Sequence, residues 1–144
     1  MRVDAREVVL RFVRDTERLT GAVSAATAHD IGGGGIGALV RAVNRRLVPR
    51  GAELPGGLRY DVHGIGCRIT DRNGTLVDVD LGPEPRMLIF DAWRVRRFAE
   101  SIGEESVTEL ELSAALEALA GEGVVMAAPG KYCVWYAAPP PSER

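Results

Sequence analysis

The strongest constraint on this chain of 144 residues is an alternation broken once, at Asn73-Gly74. Ile65, Cys67 and Ile69 occupy every second position before the break, and Val77, Val79 and Leu81 every second position after it. A period of two marks strands with one buried face, and Asn-Gly between two such runs marks a hairpin. A two-residue turn would set Ile69 against Asp78 and Cys67 against Asp80, mixing apolar and charged groups on one face. A three-residue loop of Arg72, Asn73 and Gly74, with Gly74 left-handed, instead sets Ile69 opposite Val77, Cys67 opposite Val79 and Ile65 opposite Leu81. It also places Arg68 opposite Asp78 on the other face, a favourable cross-strand pair. A slip of one residue exchanges the faces, so burial selects the three-residue loop.

Helical periodicity flanks this hairpin. Val8, Val9, Phe12, Val13 and Leu19 share one helical face, with Asp4 as N-cap and Glu7 in the capping-box position. After Gly21 the chain becomes rich in Ala and Ser, then reaches Gly32 to Gly35, whose ordering carries a high entropic cost and reads as a hinge or loop. Ile36, Leu39, Val40, Val43 and Leu47 define a second helix that Pro49 and Gly51 stop. The stretch Arg50 to Gly57 reads as a linker. A third helix starts at an Asp91 cap, with Phe90 and Val95 as a hydrophobic staple and Trp93 and Phe98 adding apolar contact. A fourth covers Thr108 to Ala120, with Leu110, Leu112, Leu116 and Leu119 toward the core. Strands at Val124–Ala127 and Tyr132–Tyr136 close the chain around Pro129-Gly130-Lys131. The expected fold is α+β: a small antiparallel sheet of β-hairpins packed against helices, with an N-terminal helical arm. It is divided into a helical segment over 1–50 and an α+β core over 57–137, one compact domain with a flexible tail at 138–144.

Composition narrows the function classes. Eighteen basic against 20 acidic residues give a net charge of -2, which supplies no broad positive field for nucleic acid. Two cysteines are too few for a secreted disulfide scaffold. The start, MRVDAREVVLRFVRD, lacks the uninterrupted apolar core of a signal peptide. No stretch approaches the roughly 20 apolar residues that span a bilayer. The expectation is a cytoplasmic domain with no membrane and no cofactor.

Four motifs recur in order: Tyr60; His63-Gly64-Ile65-Gly66-Cys67; Val77-Asp78-Val79-Asp80-Leu81-Gly82-Pro83; and Phe90-Asp91-Ala92-Trp93-Arg94. Together they resemble an uncharacterised bacterial domain family, a domain of unknown function whose members carry HGxGC, VDFDFGP and FDxWRL strings. The likeness is close over residues 57–98, looser over the following helix and hairpin, and does not specifically take in the N-terminal helices. Val79 and Leu81 stand where the family has phenylalanines, and Met87 to Ile89 where a polar Asp-Gly is common. The resemblance implies an order of motifs; small bacterial domains of this kind sit among toxin–immunity genes, an association that suggests an immunity-like role.

The residues offer three chemistries. In the first, Cys67 is the nucleophile of a hydrolase or transferase, His63 its base and Asp78 or Asp80 the orienter, which requires an exposed thiolate; the hairpin register instead places Cys67 in the core. In the second, Asp78 and Asp80, two apart on one strand face, hold a divalent cation, or they pair with Arg68, Arg86 or Arg94. Zinc at His63, Cys67, Cys133 and an Asp has only one short ligand spacing to support it. Gly64 and Gly66 suggest a bulge at a strand start, and Gly32 to Gly35 lack the flanking residues of a phosphate loop. Arg94, Arg96 and Arg97 form a basic stripe near Trp93, but the terminal hairpin lacks the charge of a DNA-binding wing. The third and leading expectation is a non-enzymatic protein-binding module. Its binding residues are His63, Asp78, Asp80, Arg86, Asp91, Trp93 and Arg94.

Overall fold

A computed structural model describes residues 4–32, 34–83 and 87–136, and within them every side chain but those of His29 and Asp30. Arg86 and the tail 138–144 lie outside the described residues. The elements run α1 (Ala5–Ile31), α2 (Gly35–Asn44), β1 (Gly51–Leu54), β2 (Leu58–His63), β3 (Gly66–Thr70), β4 (Leu76–Leu81), β5 (Met87–Phe90), α3 (Ala92–Ser101), α4 (Glu109–Gly121), β6 (Met126–Ala128) and β7 (Lys131–Trp135). The strands form one antiparallel sheet in the order β1-β2-β3-β4-β5-β7-β6. The fold is α+β.

The central hairpin adopts the register that burial demands. Cys67 pairs with Val79, Arg68 with Asp78 and Ile69 with Val77. Asp71 donates its backbone N–H to the Thr75 carbonyl, leaving Arg72, Asn73 and Gly74 as the loop. Gly74 has φ 85°, a left-handed angle that a side chain there would strain. The Asp71 carboxylate accepts from the backbone of Asn73 and Thr75, which locks the loop.

The region before the hairpin departs from the expectation. The stretch read as a linker contains β1, which pairs with β2 around Pro55-Gly56-Gly57. Leu58, Tyr60 and Val62 alternate inward, so the signal was present. Ile65 is not a strand residue facing the core; it sits exposed in the turn joining β2 to β3. No bulge forms there: His63 pairs with Gly66 across Gly64-Ile65. Gly64 has φ 59° at the first central position, the requirement of a type II′ turn.

Helix starts follow their caps. Asp4, Asp91 and Thr108 each accept from the backbone N–H three residues on, and Glu111 completes a capping box with Thr108. Each such cap stabilises its helix by about 1 kcal/mol. α1 continues through the Ala-rich stretch for 27 residues to a left-handed Gly32 cap, and α2, entered from Gly34, packs back against it. One face of the sheet is dry. Tyr60, Val62, Cys67, Ile69, Val77, Val79, Leu88, Phe90 and Val134 join the buried faces of all four helices in one cluster. Phe12 on α1 centres it, its ring 4.8 Å from that of Phe90 and 5.5 Å from that of Phe98. The helical arm is therefore docked on the core.

Besides Ile65, three residues expected inside are outside: Leu47, Leu110 and Trp93. Leu47 lies beyond the end of α2. Leu110 and Trp93 occupy first-turn positions that face away from their helices' buried stripes.

α3 has an unusual seat. β5 pairs with β4 only at Asp80–Ile89 and Leu81–Leu88. α3 follows β5 directly and packs along the length of β4 left unpaired, where Ser101 Oγ accepts the Leu76 backbone N–H at 3.0 Å.

Candidate functional site

The second face of the sheet is the candidate site. Cross-strand partners share a face, so one row across it reads His63, Gly66, Asp80, Ile89, Cys133 and Met126. A neighbouring row reads Asp61, Arg68 and Asp78. Charge is thus concentrated on β2 to β4, and apolar groups on β5 to β7, where Trp135 is also exposed.

Asp78 and Asp80 lie at the centre of an ion-pair lattice built from three directions. From β3, Arg68 Nη2 reaches Asp78 Oδ2 at 3.3 Å. From α3, Arg94 grips Asp80 with two nitrogens, both at 3.1 Å, and its Nε lies 3.7 Å from Asp78. Arg97, one turn on, lies 3.5 Å from Asp78. From β7, the Lys131 ammonium lies 3.6 Å from Asp80. Gly66 keeps the lattice compact, since a Cβ there would meet Asp80 Oδ1 at 3.2 Å. Four cationic groups surround two carboxylates, and a divalent ion placed among them would meet their repulsion. Among the described residues no group of three or more His, Cys, Asp or Glu side chains could hold a metal.

The other predicted residues fall in separate places. His63 and Cys67 are not brought together: Cys67 pairs with Val62 on the inner face, while His63 pairs with Gly66 on the outer one. Burial first, then the charges of Asp78 and Asp61, push the Cys67 thiol up to about 12. A thiol so placed stays protonated near neutral pH and buried from substrate, so the pair does not form an activated nucleophile. Both cysteines are free, and burial also raises Cys133. Asp91 serves as the α3 cap, accepting from the Arg94 backbone at 2.9 Å. Trp93 is 54% exposed and lines a cleft with Glu109, Glu117 and Lys131. Of the basic stripe, Arg94 and Arg97 are committed to the aspartates and Arg96 to Glu100 at 3.0 Å.

Sequence reasoning gave Arg97 to a basic stripe rather than to the aspartates, and missed Lys131 and Trp135. Arg97 was signalled by its three-residue spacing from Arg94 on one helix. The alternation Lys131, Cys133, Trp135 assigned that face, but nothing local showed that β7 would lie beside β5 and bring Lys131 to Asp80.

Among the described residues no helix is long and apolar enough to cross a membrane. No curated protein and no solved structure matches the chain. A protein-family model, the Domain of unknown function (DUF6896), matches residues 5–137. That match takes in α1, the hairpins and the terminal strands alike, and with it the chain belongs to the DUF6896 family.

Proposed function

We propose that this domain is a non-enzymatic protein-binding module that works in the cytoplasm and meets its partner through the outer face of its sheet. The observation that carries the reading is the company that Trp135 keeps. It is 45% exposed on an outer face that also carries Met126 and the Arg68–Asp78–Arg94–Asp80 lattice. Tryptophan, methionine and arginine are the side chains enriched at protein interfaces, and tryptophan and arginine dominate their binding energy. The lattice holds its charges in fixed positions before the partner arrives, which lowers the ordering cost of association. His63 stands at the exposed edge of the same face. In the immunity-like form of the reading, the partner is a toxin whose working surface this face covers.

The test is capture under native conditions, with the wild-type chain and Trp135→Ala compared in parallel. Circular dichroism and thermal melts confirm that the variant stays folded. The reading expects one discrete protein retained by the wild type and lost by the variant, with a drop in affinity of about tenfold or more. Equal retention by both chains overturns the outer face as the interface. Turnover of a substrate by the purified wild type, with no retained protein, overturns the module itself.

A further inference from the structure

The corner after α2 holds charge of a different kind. Between Ile31 and Ala52 the sequence has Arg41, Arg45, Arg46 and Arg50 and no acidic residue. All four are exposed, and none forms an ion pair among the described residues. Leu47 stands among them, 69% exposed.

The backbone here adds an independent observation. Leu47 N–H bonds the Ala42 carbonyl at 2.8 Å and Arg46 N–H the Val43 carbonyl at 3.0 Å. This is a Schellman ending, whose left-handed position is ordinarily glycine. Here it is Arg46, at φ 59°, which is the lone positive-φ side chain among the described residues. A strained residue held where glycine would be easier points to a use for the side chain.

The matching surface lies on the same chain. From Phe98 to Gly130 there are seven glutamates and no Lys or Arg. At the start of α4, Leu110 is 81% exposed beside Glu109, with Glu105 exposed just before it. Neither Glu105 nor Glu109 forms an ion pair among the described residues. One surface is thus a bare leucine among arginines, the other a bare leucine beside glutamates. They do not meet within one molecule. The basic corner is tied to β2 through Val62 N–H to the Arg50 carbonyl, whereas α4 packs against β6 at the far edge of the sheet.

We propose that the basic corner at Arg45, Arg46 and Leu47 docks the α4 start of a second copy of this chain, around Glu105, Glu109 and Leu110. The contact is head-to-tail, so a pair of copies still has one open surface of each sign, and assembly proceeds as short chains or closes into a ring. Leu47 favours a protein occupant over a phosphate backbone, because an apolar side chain gains nothing from phosphate and gains burial against Leu110. Opposite charges set the register and give the contact a strong salt dependence.

The experiment is sedimentation of the purified chain over a range of concentrations, at about 20 mM and about 0.5 M salt, conditions that change the screening length several-fold. The expected result is a sedimentation coefficient that rises with concentration at low salt and returns to the monomer value at high salt. Arg45→Glu with Arg46→Glu abolishes the rise, as does Glu105→Lys with Glu109→Lys, and mixing the two variants restores it. Arg46→Gly is the control against misfolding: it melts about 3 °C higher as strain is relieved, yet associates about fivefold more weakly. A chain that stays monomeric at low salt overturns the proposal. So does association untouched by the charge reversals, or a monomer whose corner binds duplex DNA instead.

Discussion

The outer face of the sheet and the corner after α2 are both rich in arginine, and they use it in opposite ways. On the sheet, Arg94 is mostly covered and divided between Asp78 and Asp80, with Arg68 and Arg97 completing the lattice. At the corner, Arg41, Arg45, Arg46 and Arg50 are exposed and form no ion pair among the described residues. Partly desolvated, paired charge contributes to folding because removing one partner strands the others. Exposed, unpaired charge contributes almost nothing to folding and remains available to a partner. A count of cations alone would rank the two regions as equals, four against four; burial and pairing separate them.

The contrast is open to attack, beginning with the largest effect. Burial, with a smaller contribution from the charges of Asp78 and Asp61, holds the Cys67 thiol at about 12 against an ordinary value of 9.0. Between those values the unfolded chain releases this proton and the folded one keeps it, so stability falls as pH rises. The loss reaches about 4 kcal/mol at pH 12, measurable by denaturant titration at stepped pH. Burial raises Tyr136 as well, which deepens the loss further up the scale. Cys67→Val removes the part that begins at pH 9; an unchanged slope would mean that the thiol is not walled in behind the lattice.

Next, Arg94→Ala leaves the two aspartates without their shared guanidinium and costs about 2–3 kcal/mol at neutral pH. A smaller cost, about 1 kcal/mol, follows for Arg94→Lys, because a compact ammonium cannot reach Asp80 and Asp78 together as the broad guanidinium does. Smallest of all, Arg45→Ala at the corner changes stability by less than about 0.5 kcal/mol. If the corner substitution cost as much as Arg94→Ala, the distinction between committed and spare charge would collapse.

Much of the architecture was legible in local pattern. The register of β3 against β4 followed from alternation and loop chemistry, and the caps at Asp4, Asp91 and Thr108 from residue type. What escaped had non-local causes. β1 is short and its inward residues are only half-buried, so its pattern resembles a linker until β2 lies beside it. Ile65 shares the period of Cys67 and Ile69, but the turn at Gly64 ends the period one pair early. For the site, the pairing of Arg68 with Asp78 was readable because it lies across one hairpin. Lys131 was not, because its approach to Asp80 depends on β7 inserting between β5 and β6.

The seat of α3 bears on how this sheet behaves in a crowded solution. A strand with unpaired backbone groups is a template onto which a neighbouring chain can grow, the first step toward aggregation. β4 would be such a strand past its short pairing with β5, but a helix lies there, and the Ser101 hydroxyl takes the Leu76 N–H. Open rims remain at β1, four residues long and carrying Glu53, and at β6, three residues long. Among the described residues, a sheet of seven strands thus has its open rims at two short strands at opposite ends, with a helix laid along the middle one.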